Sequence, residues 1–151
     1  MEYTITKFIH VMLAIVALGS NATYGIWLSR VATLPQETQL FVLRTIKLID
    51  DRIANVAYGL LVVTGLFMVF TAGYPLTTTW IAAALVLYVV VVVMAFTLTS
   101  PNFRRAIRAL ESEGPASESY RAAMRQGRVY GISIGVVVLA IVFLMVVKPT
   151  L

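Results

Sequence analysis

The one side chain in the apolar runs able to titrate near neutral pH is His10, the only histidine in the chain. It opens the run KFIHVMLAIVALGSNATYGIWLSR (7–30), about a turn inside its leading edge. Three chemistries suit it: an axial ligand to haem b, a proton relay, or a partner for the polar end of a small apolar molecule. The structural alternative is an interfacial histidine bonded to a carbonyl or to headgroup water, because burial costs least near the membrane edge. A haem held by His10 has no second histidine to complete its ligation. At matching depth lie Met68 and Met145, with Lys148 beyond, and His/Met is a known haem ligand set. A five-coordinate iron, or symmetric ligation across a homodimer, are the other arrangements.

Advancing about 100° per residue, His10, Ala14, Ala17, Asn21 and Tyr24 fall on one stripe. Such a polar-and-small stripe faces protein, since lipid satisfies no hydrogen bond. Asn21, Thr23 and Tyr24 with Asn55 and Tyr58 can form a polar cluster, as structural glue or as a ligand site. Gly127, Gly131 and Gly135, four residues apart, leave a groove for close helix packing, expected within the monomer.

Other chemistries are excluded by residue type. Zero cysteines remove disulfides, thiolate metal sites and cysteine nucleophiles. No paired carboxylates, phosphate loop, HExxH or Ser/His/Asp set occurs in one place, so no catalytic residue and no metal site are assigned. The spans carry no carboxylate, the usual coupling group of an ion-driven transporter.

The elements that must position these residues follow from composition. The chain is 60% hydrophobic and 13% charged, and between Arg52 and Arg104 there is no Asp, Glu, Lys or Arg. That interval is too long for one crossing, and Gly73-Tyr74-Pro75 near its middle marks a turn. A further uncharged run extends over Val129–Val147. The expected architecture is all-α, an integral membrane four-helix bundle in one domain over 1–151. Its spans lie at about 8–29, 53–72, 78–100 and 129–147. All 12 Lys and Arg except Lys7 and Lys148 lie in or beside the segments 31–52 and 101–128. The positive-inside rule makes those two segments cytoplasmic helical arms, with both termini outside, in the plasma membrane. The net charge of +5 then reflects orientation and attraction to anionic lipid, not nucleic acid, for which no motif is present. Lys7 and Ala17-Leu18-Gly19 mimic a cleaved leader, but apolar character resumes through Tyr24 and Trp27, so a retained span is expected.

Local signals refine the arms. Thr33 with Gln36 fits a capping box, while Pro35 suits the first helical position, and either begins a helix that runs into the second span. Lys47 and Asp51 stand one turn apart and can pair. The β-branched core VLYVVVVVMAF is a helix by length, and Pro101 closes or kinks it. Glu113-Gly114-Pro115 breaks the second arm, after which Ser117 can cap a helix continuing into the last span. The arginines and glutamates of this arm read as a solvated charged face.

The order Lys7-Phe8-Ile9-His10, Gly19, Leu28-Ser29-Arg30, LRTIKLID (43–50), Thr64-Gly65, GYPL (73–76) and LMVVKP (144–149) resembles a bacterial family of predicted four-helix membrane proteins of unknown function. That family is distantly similar to the membrane part of CopD-like copper-resistance proteins and to HemJ-type protoporphyrinogen oxidases. The HemJ resemblance implies haem b at His10, carried by Lys7 and His10 alone. The other polar and histidine positions of that pattern have no counterpart here. The CopD resemblance implies copper, for which one histidine and scattered methionines are a poor ligand set.

With one titratable group and much packing surface, the leading expectation is a non-catalytic accessory or assembly subunit, with a second copy or another membrane protein as partner. The alternatives are a single-histidine haem b protein, redox or sensory, and an oligomeric small-solute channel or carrier.

Overall fold

The computed structural model describes residues 1–149, which form helices joined by short turns, with no strand among the described residues. In chain order the helices are α1 (Glu2–Val31), α2 (Gln36–Ile49), α3 (Asn55–Thr71), α4 (Thr79–Met94), α5 (Ser100–Glu113) and α6 (Glu118–Val147). α2 runs into α3 through a widened π turn, Asp50–Ala54, and α4 into α5 through another, Ala95–Thr99. Four continuous helices result, each long and apolar enough to cross a membrane, at 30, 36, 35 and 30 residues. At about 1.5 Å per residue even the shortest spans about 45 Å, beyond the roughly 30 Å of hydrocarbon.

The chain forms two compact units, Met1–Pro75 and the part from Leu76 onward. In the first, α1 packs along α3 and against α2. The contact is closed by Ala17, Ala54 and Ala57, all buried, and small side chains let helix backbones approach where no hydrophobic drive exists in lipid. α2 begins at Gln36, with Pro35 just before it at φ −53° and ψ 150°, one residue later than the Pro35 reading. The reason is Gln39, only 2% exposed, whose amide donates to the carbonyl of Leu34 at 2.8 Å and closes the turn from inside. Lys47 and Asp51 pair across one turn. Gly73 ends α3 at φ +70°, where its N–H bonds the carbonyl of Phe70 and that of Tyr74 the carbonyl of Val69. This left-handed cap is open to glycine at no steric penalty.

In the second unit α6 packs along α4 and α5. Pro101 does not end the helix. It has no N–H for the carbonyl of Thr97, and the preceding turn widens so that Ser100 bonds back to Ala95. α5 turns Asn102, Ala106, Ala109 and Leu110 inward, while Ala123 of α6 is fully buried. Gly114 at φ +84° breaks the chain and Ser117 caps α6, its hydroxyl accepting from the N–H of Tyr120 at 3.3 Å. Lys148 sits over the ring of Trp80, 5.4 Å from its centroid.

The helices leave their large apolar side chains outward: Phe8, Ile15, Val63, Phe96, Leu139 and Phe143 are all more than half exposed. Patches of this kind need hydrocarbon as solvent.

Candidate functional site, a polar seam in the first unit

His10 and Thr64 meet where α1 crosses α3. The imidazole Nδ1 lies 2.8 Å from the Thr64 hydroxyl oxygen. The ring fits there because residue 65 is glycine: a Cβ on Gly65 would stand 3.2 Å from Cε1 of His10. A hydroxyl has one proton, and two helix carbonyls stand in reach to take that of Thr64, Leu60 at 2.8 Å and Leu61 at 3.2 Å. The Thr64 oxygen is therefore the acceptor, and Nδ1–H of His10 the donor. With Nδ1 as the donor, the neutral histidine carries its lone pair on Nε2.

About three turns further along α1, the Asn21 amide donates to the carbonyl of Ala17 at 3.0 Å and to the hydroxyl of Tyr58 at 2.9 Å. Both bonds use Nδ2, which fixes the orientation of the amide. Tyr24 has its hydroxyl buried without a hydrogen-bond partner among the described residues, within electrostatic reach of Asp50 and Tyr58. Asn55 is exposed, and Thr23 turns its hydroxyl back to the carbonyl of Ser20. Thus the seam joins His10 to Thr64 and Asn21 to Tyr58. Met68 stands four residues past Thr64 on the same face of α3, half-buried, and Met145 is half-buried on α6 of the second unit.

The three spaced glycines of α6 occupy different surroundings. A Cβ on Gly127 would stand 3.1 Å from the amide nitrogen of Asn102, whereas at Gly131 or Gly135 it would meet nothing within 4 Å. Asn102, missed by the sequence pattern, is buried and donates to the carbonyl of Ala123 at 2.9 Å. The signal available for it was an asparagine directly after a helix-bending proline. No three His, Cys, Asp or Glu side chains converge as a metal site among the described residues.

A family described as predicted integral membrane protein, DUF2269, matches residues 4–149 of the chain. No curated protein and no solved structure matches it significantly.

Proposed function

The chain belongs to the DUF2269 family of predicted integral membrane proteins, and we propose that it works in the plasma membrane as a non-catalytic accessory or assembly subunit. The observation that carries this reading is how the intramembrane polar groups are used. His10 bonds Thr64 and Asn21 bonds Tyr58, helix to helix, while Gly131 and Gly135 stay open beside exposed apolar side chains. Groups used this way hold helices together, and an open glycine face suits another membrane helix, from a second copy or a different protein. In this reading the spans lie at about 8–29, 53–72, 78–100 and 129–147, with 31–52 and 101–128 in the cytoplasm and both termini outside. The test is the mass of the protein extracted with its native lipid. A partner at fixed stoichiometry, lost in Gly131→Leu with Gly135→Leu while the fold persists, supports the role; a monomer alone overturns it.

A second reading, a haem b protein of redox or sensory type, is favoured by one observation. With Nδ1–H committed to Thr64, His10 presents Nε2 as a lone-pair donor, the arrangement usual for metal-ligating histidines. His10 would hold the iron, Met68 is a candidate second ligand, and haem would supply one-electron chemistry or gas sensing. The absorption spectrum of protein made with ample haem decides. A Soret band abolished by His10→Ala establishes this reading and displaces the first; a colourless preparation removes it.

A further inference from the structure

We propose that the root of the α5–α6 hairpin is a binding site for acidic phospholipid, with the phosphodiester headgroups held by Arg104, Arg105, Arg108, Arg121, Arg125 and Arg128. All six are exposed, and none has an ion-pair or side-chain hydrogen-bond partner among the described residues. Their placement along the hairpin is ordered. The bond from Asn102 to the carbonyl of Ala123, over Gly127, sets the register of the two helices. Arg104 then stands about level with Arg125, and Arg108 with Arg121. Counted from the span ends proposed above, at 100 and 129, the first pair lies about 6 Å beyond the hydrocarbon and the second about 12 Å, at a rise of about 1.5 Å per residue. The headgroup layer is roughly 5–8 Å deep on each side, so the first pair, Arg105 and Arg128 are immersed in it and the second pair reaches back to it.

A solvated charged face intersperses both signs throughout, whereas here the glutamates border only the distal arginines. Glu111 stands one turn from Arg108 and Glu118 one turn from Arg121, and none lies within a turn of Arg104, Arg105, Arg125 or Arg128 along its own helix. Its glutamates, Glu111, Glu113 and Glu118, all sit at the far tip around Gly114-Pro115. The arginines repeat against their own sign at 104/108, 121/125 and 125/128, spacings that destabilise a helix without a counter-charge. Arg104, Ile107 and Arg108 border one shallow, open stretch of the α5 surface, two guanidinium side chains beside an apolar one, which suits a phosphodiester and the start of its acyl chains. The bilayer around the spans supplies that anion at the right depth. The site requires the span ends as proposed and no particular activity of the protein.

The test uses the full chain, delipidated in a neutral detergent, titrated with phosphatidylglycerol or phosphatidylcholine and read by native mass spectrometry. Phosphatidylglycerol adducts surviving where phosphatidylcholine adducts are lost support the site. Arg104→Gln with Arg125→Gln should lower retention roughly fivefold per arginine, the worth of one basic residue at an anionic surface. Glu111→Gln with Glu118→Gln should leave it unchanged. Equal retention of the two lipids by the unaltered chain overturns the proposal without recourse to a variant. So does full retention in the arginine double variant, and so does inorganic phosphate or an acidic peptide displacing the lipid at equal concentration, which would assign the surface to a soluble anion. Because the lipid comparison needs neither haem nor a protein partner, its failure is separable from that of the accessory reading.

Discussion

The amide nitrogen of Asn102 on α5 sits 3.1 Å from the point where a Cβ on Gly127 would project, while donating to the carbonyl of Ala123 at 2.9 Å. The glycine is thus a notch for one particular side chain. Replacing it should push Asn102 off its carbonyl and leave a buried amide unsatisfied, at a cost of about 1–3 kcal/mol against a helix-propensity gain of at most about 1 kcal/mol. Gly127→Ala is therefore expected to destabilise the protein. Gly131→Ala and Gly135→Ala, which meet nothing, should be neutral or stabilising by up to about 1 kcal/mol in the isolated chain. Thermal or denaturant unfolding in detergent would show the opposite signs, and a common sign at all three positions would refute the notch.

The bond between α1 and α3 makes a prediction about a proton. With the carbonyls of Leu60 and Leu61 in reach of the Thr64 hydroxyl hydrogen, neutral His10 should carry its proton on Nδ1. Nitrogen-15 NMR of labelled histidine reads the tautomer directly. Thr64→Val removes the acceptor and should shift the population toward the Nε2–H form. A double-mutant cycle with His10→Ala should give a coupling near 0.6 kcal/mol and below about 2 kcal/mol, as for other intramembrane hydrogen bonds. An Nε2–H tautomer in the unaltered protein would reverse the donor and acceptor assigned here.

Much of this fold was legible from where charge is missing. Four long apolar helices, the Gly73 turn, the break at Gly114 and the Ser117 cap each follow from one local rule, and each rule acts within a few residues. The pairs were harder to read. Thr64 carries no mark that sets it against His10 across 54 residues, and Gln39 looks like surface until the turn at Leu34 is seen folded over it. The small-residue contacts carry a fainter mark in the sequence. The glycine spacing of α6 draws attention, yet Ala17, Ala57, Ala84 and Ala123 are among the small residues buried at helix contacts, and alanine in an apolar run carries no positional signal.

Ser117 offers a sharper test of the hairpin turn than the charges around it. Its hydroxyl accepts from the N–H of Tyr120 and donates to the carbonyl of Gly114 at 2.9 Å, joining the cap of α6 to the end of α5. Ser117→Ala should cost about 1 kcal/mol, the usual worth of an N-cap, and raise amide exchange over 118–121. Ser117→Asp should retain the cap, because a carboxylate accepts the same bond and favours the helix N-terminus. Equal protection in all three proteins would show that the turn is held by Gly114 and Pro115 alone.

Two causes coincide at the π turn before Pro101, and their sizes decide what removing the proline does. Pro101→Ala restores an N–H that can bond the carbonyl of Thr97, worth about 1 kcal/mol. Closing the turn, however, would rotate α5 by about 100° relative to α4. That rotation would carry Asn102, Ala106, Ala109 and Leu110 off α6, and exposing Leu110 alone forfeits about 2 kcal/mol. Packing outweighs the restored bond, so the wide turn should persist in Pro101→Ala, with stability changed by less than about 1 kcal/mol. Spin labels at Val86 and Arg105, on α4 and α5, read the geometry as a distance. An unchanged distribution is the expected outcome. A shift of several ångströms would mean that proline alone holds the turn open and that the grip of α6 on α5 is weaker than its buried side chains indicate.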